Sequence, residues 1–579
     1  MTLAWVPPGT TPSQLAAAGF SPGLMSAGLG SVPAAQTRLD LTQGNRVFGS
    51  LYKEQLPAAV QVPLDRPIEG GQLSERAESA PAEIEPGLLA ESLARARAGE
   101  RFEVRAGSLA QLATLPPGLR GDDLLIAIER PPPAPGEALA IGIAGPGFDG
   151  NLTSASTRLE GYVLSTDVAP TILRRLGAPV PSQMSGQPIE VEGSVDPAAV
   201  EALGERLASI GERRGPVIGL TLLAWLTALG AVALASRGSF VAHQATKAPR
   251  GSFRTDDVQK EPRDGVTRVA VRMTALAIVY LPLALLLAAA LEPSQGAEQL
   301  LALVAPPLLA ALTLATLGGY RALALAVAAT VLVHAVDVIA GSPLTSLSLL
   351  GPNPGLGVRF YGIGNELEAV LAVLVVAGTG AGIAGFAPRL SPRASAAAFL
   401  ALGLAAAFVF AAGRFGADVG AAIVLPAGAA VAAAAIAARR RRTALLAIAV
   451  PFAALALLAL VDLLSGADAH LTRSVLDAGG LGELADVAQR RLQLSARSFV
   501  RPVLAVFLPL VLVLAVLAYL RRDRLAAWLV GRPAMRAGLL GALAAVAVGT
   551  LANDSGALLL VVGAAYLLVF TGFAWAESS

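Results

Sequence analysis

From Gly215 onward the chain repeats one pattern, in which apolar runs long enough to cross a bilayer as helices are separated by short polar loops. The runs near 215–236, 272–291, 299–318, 321–341, 365–386, 394–413, 416–437, 443–464, 501–519, 536–552 and 556–575 predict eleven spans. Before Arg214 the pattern is different. Short apolar stretches of strand type at 2–6, 59–63, 123–129 and 138–144 alternate with helical stretches at 12–18, 86–97 and 167–176. That order predicts an α/β domain with a largely parallel sheet. Asp167 is the expected N-cap of the last helix, with Pro170 in its first turn. The expected architecture is an α/β domain over 1–213 followed by an all-α membrane bundle of about eleven helices over 214–579.

Composition sharpens this division. Hydrophobic residues make up 54% of the chain and charged residues 15%, with mean hydropathy +0.62. A soluble domain carries about a quarter charged residues, so much of this chain is placed in lipid. The net charge of +2 is held in particular loops and gives no nucleic-acid footprint. The absence of cysteine excludes disulfides, thiolate catalysis and cysteine-ligated metals. Gly378 and Gly382, like Gly416 and Gly420, have the small-xxx-small spacing that suits close helix packing.

Lys and Arg in short loops mark the cytoplasmic side. The loop 237–271 holds seven of them, and Arg389 with Arg393, the run Arg439 to Arg442, and Arg521, Arg522 and Arg524 follow at alternate connections. The connections 292–298 and 553–555 carry none. The expected topology is a multi-pass plasma membrane protein with the N-terminal domain and the 465–500 segment outside and the C-terminus inside. Met1 runs directly into a strand-like segment without a leader pattern. The favoured expectation is a leader that is not part of this sequence; the alternative is that span 215–236 carries the domain across.

The stretch GPGFDGNLTSASTRLEGYVLSTDVAPTILRRLGAPVPSQMSGQPI, Gly145 to Ile189, resembles the C-terminal portion of the alkaline phosphatase superfamily, where a T-D-x-x-P-T-x-L helix and a loop ending in G-x-x-[IL] recur. The opening, TLAWVPPGTTPSQLAAAGFSPGLMS, is similar to that superfamily's first strand and helix. The layout also resembles the GPI ethanolamine-phosphate transferases. The resemblance implies an alkaline phosphatase-like fold for the first third of the chain, and in that superfamily a metal site of Asp and His with a Ser or Thr nucleophile. Two metals act there as a clamp on the attacking and leaving oxygens. This chain departs from that pattern. Pro7 and Pro8 stand where the first strand would end in a metal-binding Asp, Glu129 and Arg130 where an Asp-His pair is expected, and His243, His334 and His470 all lie beyond the domain. Thr37 is the nearest candidate nucleophile. No metal ligand set is expected, and the domain is expected to be a degenerate relative kept for binding or scaffolding.

The chemistry-bearing residues lie in the membrane half, where charged side chains are expensive and therefore functional candidates. GVRFYGIGNELEA places Arg359, Tyr361, Asn365, Glu366 and Glu368 at the start of a span, after glycines that favour a tight non-helical backbone. Glu366 and Glu368 should diverge by about 200° on a helix. Arg414 and Asp418 are four apart, a spacing that would place them on one helical face. Asp462, His470 and Arg473 follow another span, Asn553 and Asp554 lie in the turn ANDSG, and His334 with Asp337 lies within the fourth span. The motifs RFYGIGNE and NDSG also look like those of bacterial membrane proteins joining an alkaline phosphatase-like domain to many spans, which implies a family but no activity.

The expected site groups Glu366, Asp418 and His470 as acid–base, metal-binding or proton-carrying residues. Arg359, Tyr361, Asn365, Arg414, Arg473, Asn553 and Asp554 are the expected substrate-binding groups, the arginines being suited to phosphate. Three readings stay open: an envelope enzyme acting on a lipid-linked or phosphorylated substrate at the outer leaflet, a transporter or flippase for such an anionic lipid, and a non-catalytic assembly factor. Membrane lipids are expected partners; no cofactor follows from the residues.

Overall fold

The computed structural model describes most of the chain; residues 29–31, 47–58, 66–72, 78–83, 132–137, 246–262, 438–448, 454–491 and 501–503, with scattered single residues and pairs, lie outside the described residues. The chain divides into two compact units. One is Met1–Gly211 with Asn353–Tyr361, and the other is Glu212–Pro352 with Gly362–Ser579.

The first unit is built on six strands in the order β3-β1-β4-β5-β2-β7: β1 (Thr2–Val6), β2 (Ser21–Ser26), β3 (Glu103–Ala106), β4 (Leu125–Glu129), β5 (Leu139–Ala144) and β7 (Tyr162–Leu164). The pairs β1/β3, β1/β4 and β2/β7 are parallel, whereas β5 runs antiparallel to both β4 and β2. The sheet is therefore mixed and mostly parallel. A separate pair, β6 (Asn151–Ser154) and β8 (Ile189–Glu192), is antiparallel.

The central strands read as unbroken apolar runs because both faces are covered. Leu3 and Trp5 join Ile126, Ile128, Ile141 and Ile143 in one core. That core is closed by α2 (Ala34–Gln43), α3 (Leu88–Arg95) and α5 (Val168–Arg175). Ala4 and Val6 face the other way, with Ala127 and Ala140, against Leu15 of α1 (Pro12–Ala17) and Leu112 of α4 (Leu109–Leu112). Small side chains dominate this second face so that α1 can approach closely. A Cβ on Gly142 would stand 2.9 Å from Phe20 Cβ. The strand expected at 59–63 is not formed at Ala59, Val62 or Pro63, and β2, β3, β6, β7, β8 and α2 were not expected.

The segment Asn353–Tyr361 belongs to this first unit, although the sequence pattern placed it at a membrane face. Arg46 donates to Gly357 O at 3.2 Å and lies over the Phe360 ring, which itself sits 6.2 Å from Tyr162. Gly357 has φ +76°, and a side chain there would strike Gly28 O.

In the second unit nine described helices are long and apolar enough to span a membrane. They are α6 (Pro197–Ala245), whose apolar part follows Gly211, α7 (Arg263–Leu291), α8 (Gln295–Thr316), α9 (Gly319–Ile339), α10 (Asn365–Phe386), α11 (Pro392–Ala411) and α12 (Val419–Ile436), then α15 (Pro533–Ala552) and α16 (Gly556–Ala576). Between the last two groups lie α13 (Leu508–Leu520) and α14 (Arg522–Trp528). Of the remaining expected spans, 443–464 lies almost wholly outside the described residues, and 501–519 corresponds to α13, which at 13 residues is shorter than a bilayer requires.

The apolar windows of α10 and α12 are 72% buried against 17% for α6 and 22% for α8, which makes α10 and α12 the centre of the unit. Glycine sets the spacing at that centre. A Cβ on Gly380 would meet Ala534 O at 2.7 Å, and one on Gly541 would meet Gly428 O at 2.5 Å, so α10, α12 and α15 touch backbone to backbone. Gly378 fits this expectation, packed on Val327, whereas Gly382 faces open space. Gly416 and Gly420 do not share a helix, because the chain from Ala412 to Asp418 is non-helical.

Candidate functional site

At the head of α10 the backbone turns tightly through Gly362, φ +77°, where a side chain would collide with Gly416 O, and Gly364 precedes the first helical residue. The non-helical backbone expected here is present. The first turn that follows carries Glu366 and Glu368, a position the helix dipole favours for carboxylates. They diverge as the helical period requires. Glu366 is part-buried and forms an ion pair with Arg214 of α6 at 2.7 Å, and Arg214 also donates to Gly351 O at 2.8 Å. Glu368 is buried and accepts from the Asn553 amide at 2.6 Å. Its carboxylate lies against the start of α12, where only the missing side chain of Gly420 leaves room for it.

The turn Asn553–Ser555 between α15 and α16 is held on two sides. Asn553 Oδ1 accepts from the Ser555 amide at 2.9 Å, closing an Asx-type turn. Asn365 donates to Ser555 Oγ at 2.8 Å and to Asp554 at 3.3 Å. One end of the second unit thus gathers Arg214, Asn365, Glu366, Glu368, Asn553, Asp554 and Ser555 from three distant parts of the chain. Next to Arg214, Arg213 pairs with Glu298 of α8.

Other sequence candidates fall differently. Asp418 and Arg414 do not lie on one helical face. Asp418 is the N-cap of α12, its Oδ1 accepting from Gly420 and Ala421 amides at 2.8 and 3.2 Å, and Arg414 is exposed with its guanidinium over the Phe415 ring. Arg359 and Tyr361 belong to the first unit, where the Arg158 guanidinium stacks on Tyr361 at 3.7 Å. Asp462, His470 and Arg473 lie outside the described residues. His334 is buried with Nδ1 2.8 Å from Thr330 O, and Asp337 accepts from the Leu344 and Thr345 amides. Both have structural partners.

Arg213 and Arg214 were missed by the sequence reading, and Glu368 was named there without a role. A signal for the two arginines existed. They stand immediately before the first span on the side expected to be poor in basic residues, so each needed an acidic partner in the membrane half.

In the first unit the positions that the alkaline phosphatase resemblance would make metal ligands do not fit a metal. Val6 leads into Pro7 and Pro8. Glu129, at the end of β4, accepts from the Gly9 amide at 2.6 Å and from the Ala140 amide at 3.0 Å, which ties the loop after β1 to the start of β5. Thr37 is fully buried within α2. Asp167 does not cap α5 with its side chain. It is fully buried and accepts four hydrogen bonds, from Ser154 at 2.7 Å, Ser156 at 2.6 Å, and the Leu164 and Gln187 amides at 2.9 Å each. Burial pushes its pKa above the ordinary value while these hydrogen bonds oppose the shift. Burial likewise lowers the pKa of Arg46 and raises that of Tyr162. Among the described residues no group of three His, Asp or Glu is placed to hold a metal ion.

The fold and this polar end define an integral multi-pass membrane protein with an N-terminal α/β domain. Comparison of the chain with protein-family models, with curated proteins and with solved structures finds no match.

Proposed function

We propose that the protein acts in the cell envelope on a lipid-linked or phosphorylated substrate at the outer membrane face, through the polar end of its second unit. The observation that carries this reading is the buried Glu368 carboxylate at the head of the central helix, beside the Arg214–Glu366 pair. A carboxylate in such a site is expensive to keep unless it serves chemistry or proton movement, and Arg214, a phosphate-type donor, is paired with Glu366 in the same helical turn as Glu368. In this proposal an anionic group competes with Glu366 for Arg214 while Glu368 acts as acid or base. The transporter reading loses its mid-membrane indication, because His334 and Asp337 are used in local hydrogen bonds. The first unit, related in this reading to the alkaline phosphatase superfamily, serves binding rather than catalysis, since Glu129 and Asp167 are committed to backbone and hydroxyl donors.

The expected result is that full-length protein purified in nanodiscs retains a co-purifying anionic lipid-linked molecule, read by native mass spectrometry. R214Q should lose it several-fold while melting near the wild-type temperature, its Glu366 partner being only part-buried and able to reach water. Equal retention by wild type and R214Q would remove Arg214 from the site.

The topology follows from the opposite end of the second unit, which carries Arg321, Arg389, Arg393, Arg532 and Arg536 and is therefore cytoplasmic in this reading. Because the chain has no cysteine, S252C gives a single label site. It should stay unreactive to an impermeant thiol reagent in intact cells and react after lysis; labelling in intact cells would reverse the orientation.

A further inference from the structure

We propose that the second unit binds the phosphodiester headgroup of an anionic phospholipid in a cavity at the end opposite the polar cluster. The cavity, about 440 Å³, is lined by Ile383 at the end of α10, Pro392 and Ser395 at the start of α11, Ile436 at the end of α12, and Arg532 and Pro533 where α15 begins. Four span ends meet there, so the cavity lies at the depth where hydrocarbon gives way to headgroups.

Its charge has one sign. Among the described residues lining it Arg532 is the one that is charged, and neither α11 nor α15 has an acid in its first turn. The positive ends of α11 and α15 are offset by the C-terminal ends of α10 and α12, which leaves the guanidinium to decide the potential. Arg532 lies with its guanidinium carbon 4.6 Å from the Tyr320 ring centroid. A cation–π contact of this kind does not consume the guanidinium's N–H donors, which can still meet an anion. Glu577, the acid near Tyr320, is held by Arg272 at 2.9 Å.

The surroundings select a lipid over a soluble anion. Phe386, Leu390 and Val530 are 58, 41 and 78% exposed beside the exposed Arg389 and Arg393. Apolar side chains alternating with arginines at one rim suit acyl chains and an anionic headgroup together, as in basic pockets between spans that hold such lipids.

The test uses delipidated full-length protein titrated with phosphatidylglycerol or phosphatidylcholine, with bound lipid counted by native mass spectrometry. Phosphatidylglycerol should be retained several-fold better than phosphatidylcholine, and millimolar inorganic phosphate should not displace it. R532Q should abolish the preference. V530D changes an exposed side chain, so the fold is kept, and it should weaken the preference by placing an acid at the mouth, whereas V530N should not. Equal retention of the two lipids, or an unchanged preference in both R532Q and V530D, would overturn the proposal. Displacement by inorganic phosphate would show a soluble-anion site and overturn it as well.

Discussion

Asp167→Asn is expected to destabilise the N-terminal unit by about 2–4 kcal/mol, from one or two buried donors left facing another donor at about 1–3 kcal/mol each. Asp167 Oδ1 accepts from Ser156 and the Gln187 amide, and Oδ2 from Ser154 and the Leu164 amide. An asparagine retains one oxygen. Whichever way it turns, its NH2 group meets a backbone N–H that has no other position to adopt. The four donors belong to β6, the loop after it, the end of β7 and the loop before β8, so the loss should loosen this whole corner and appear as faster amide exchange there. The pH dependence has a definite sign. Burial raises the folded-state pKa above the ordinary 3.8, so the folded chain holds this proton more tightly than the unfolded chain. In wild type this contribution is largest below about pH 4 and declines as pH rises through the folded pKa, whereas the asparagine variant has no such term. The gap between the two proteins should therefore narrow as pH rises. A gap that widens toward neutral pH, or no gap at all, would contradict this account of Asp167.

The largest effect on function is expected at Glu368. E368Q keeps an oxygen for the Asn553 amide and should insert and melt much like wild type. If the carboxylate is the acid or base, its loss should lower turnover by about 10²–10⁴-fold, the usual range for removing such a group. E368L also removes the acceptor and should destabilise the protein by about 1–3 kcal/mol through the orphaned amide. The two variants separate the roles. Accumulation in the membrane and thermal melting report the fold, and replacement of wild type in the native host reports function. Full function of E368Q would make this carboxylate structural and move the chemistry elsewhere.

The same head of α10 shows how far local pattern reaches. The divergence of Glu366 and Glu368 follows from the helical period alone, and the tight turn before them follows from Gly357, Gly362 and Gly364. Their partners do not follow from anything local. Arg214 precedes Glu366 by 152 residues, and Asn553 follows Glu368 by 185. Arg414 and Asp418 show the converse failure. Four-residue spacing implies one face only if the backbone is helical, and here Asp418 ends a non-helical connection by capping α12.

In the first unit, β1, β4 and β5 were legible because strands covered on both faces are apolar throughout. β2, with the sequence SPGLMS, carries no such signal and is a strand because β5 and β7 supply its hydrogen bonds on either side. The three-residue β7 is equally unreadable in isolation.

The sequence by itself determined that this is a multi-pass membrane protein with an N-terminal α/β domain, since hydropathy is additive along about twenty consecutive residues and needs no knowledge of neighbours. Tertiary structure alone decided that Asn353–Tyr361 belongs to the N-terminal unit, that α10, α12 and α15 meet through glycine, and that Arg214, Glu368 and Asn553 share one end of the bundle. Those outcomes depend on which distant surfaces exclude lipid or water from one another. A buried polar group takes whichever partner the packing brings within reach.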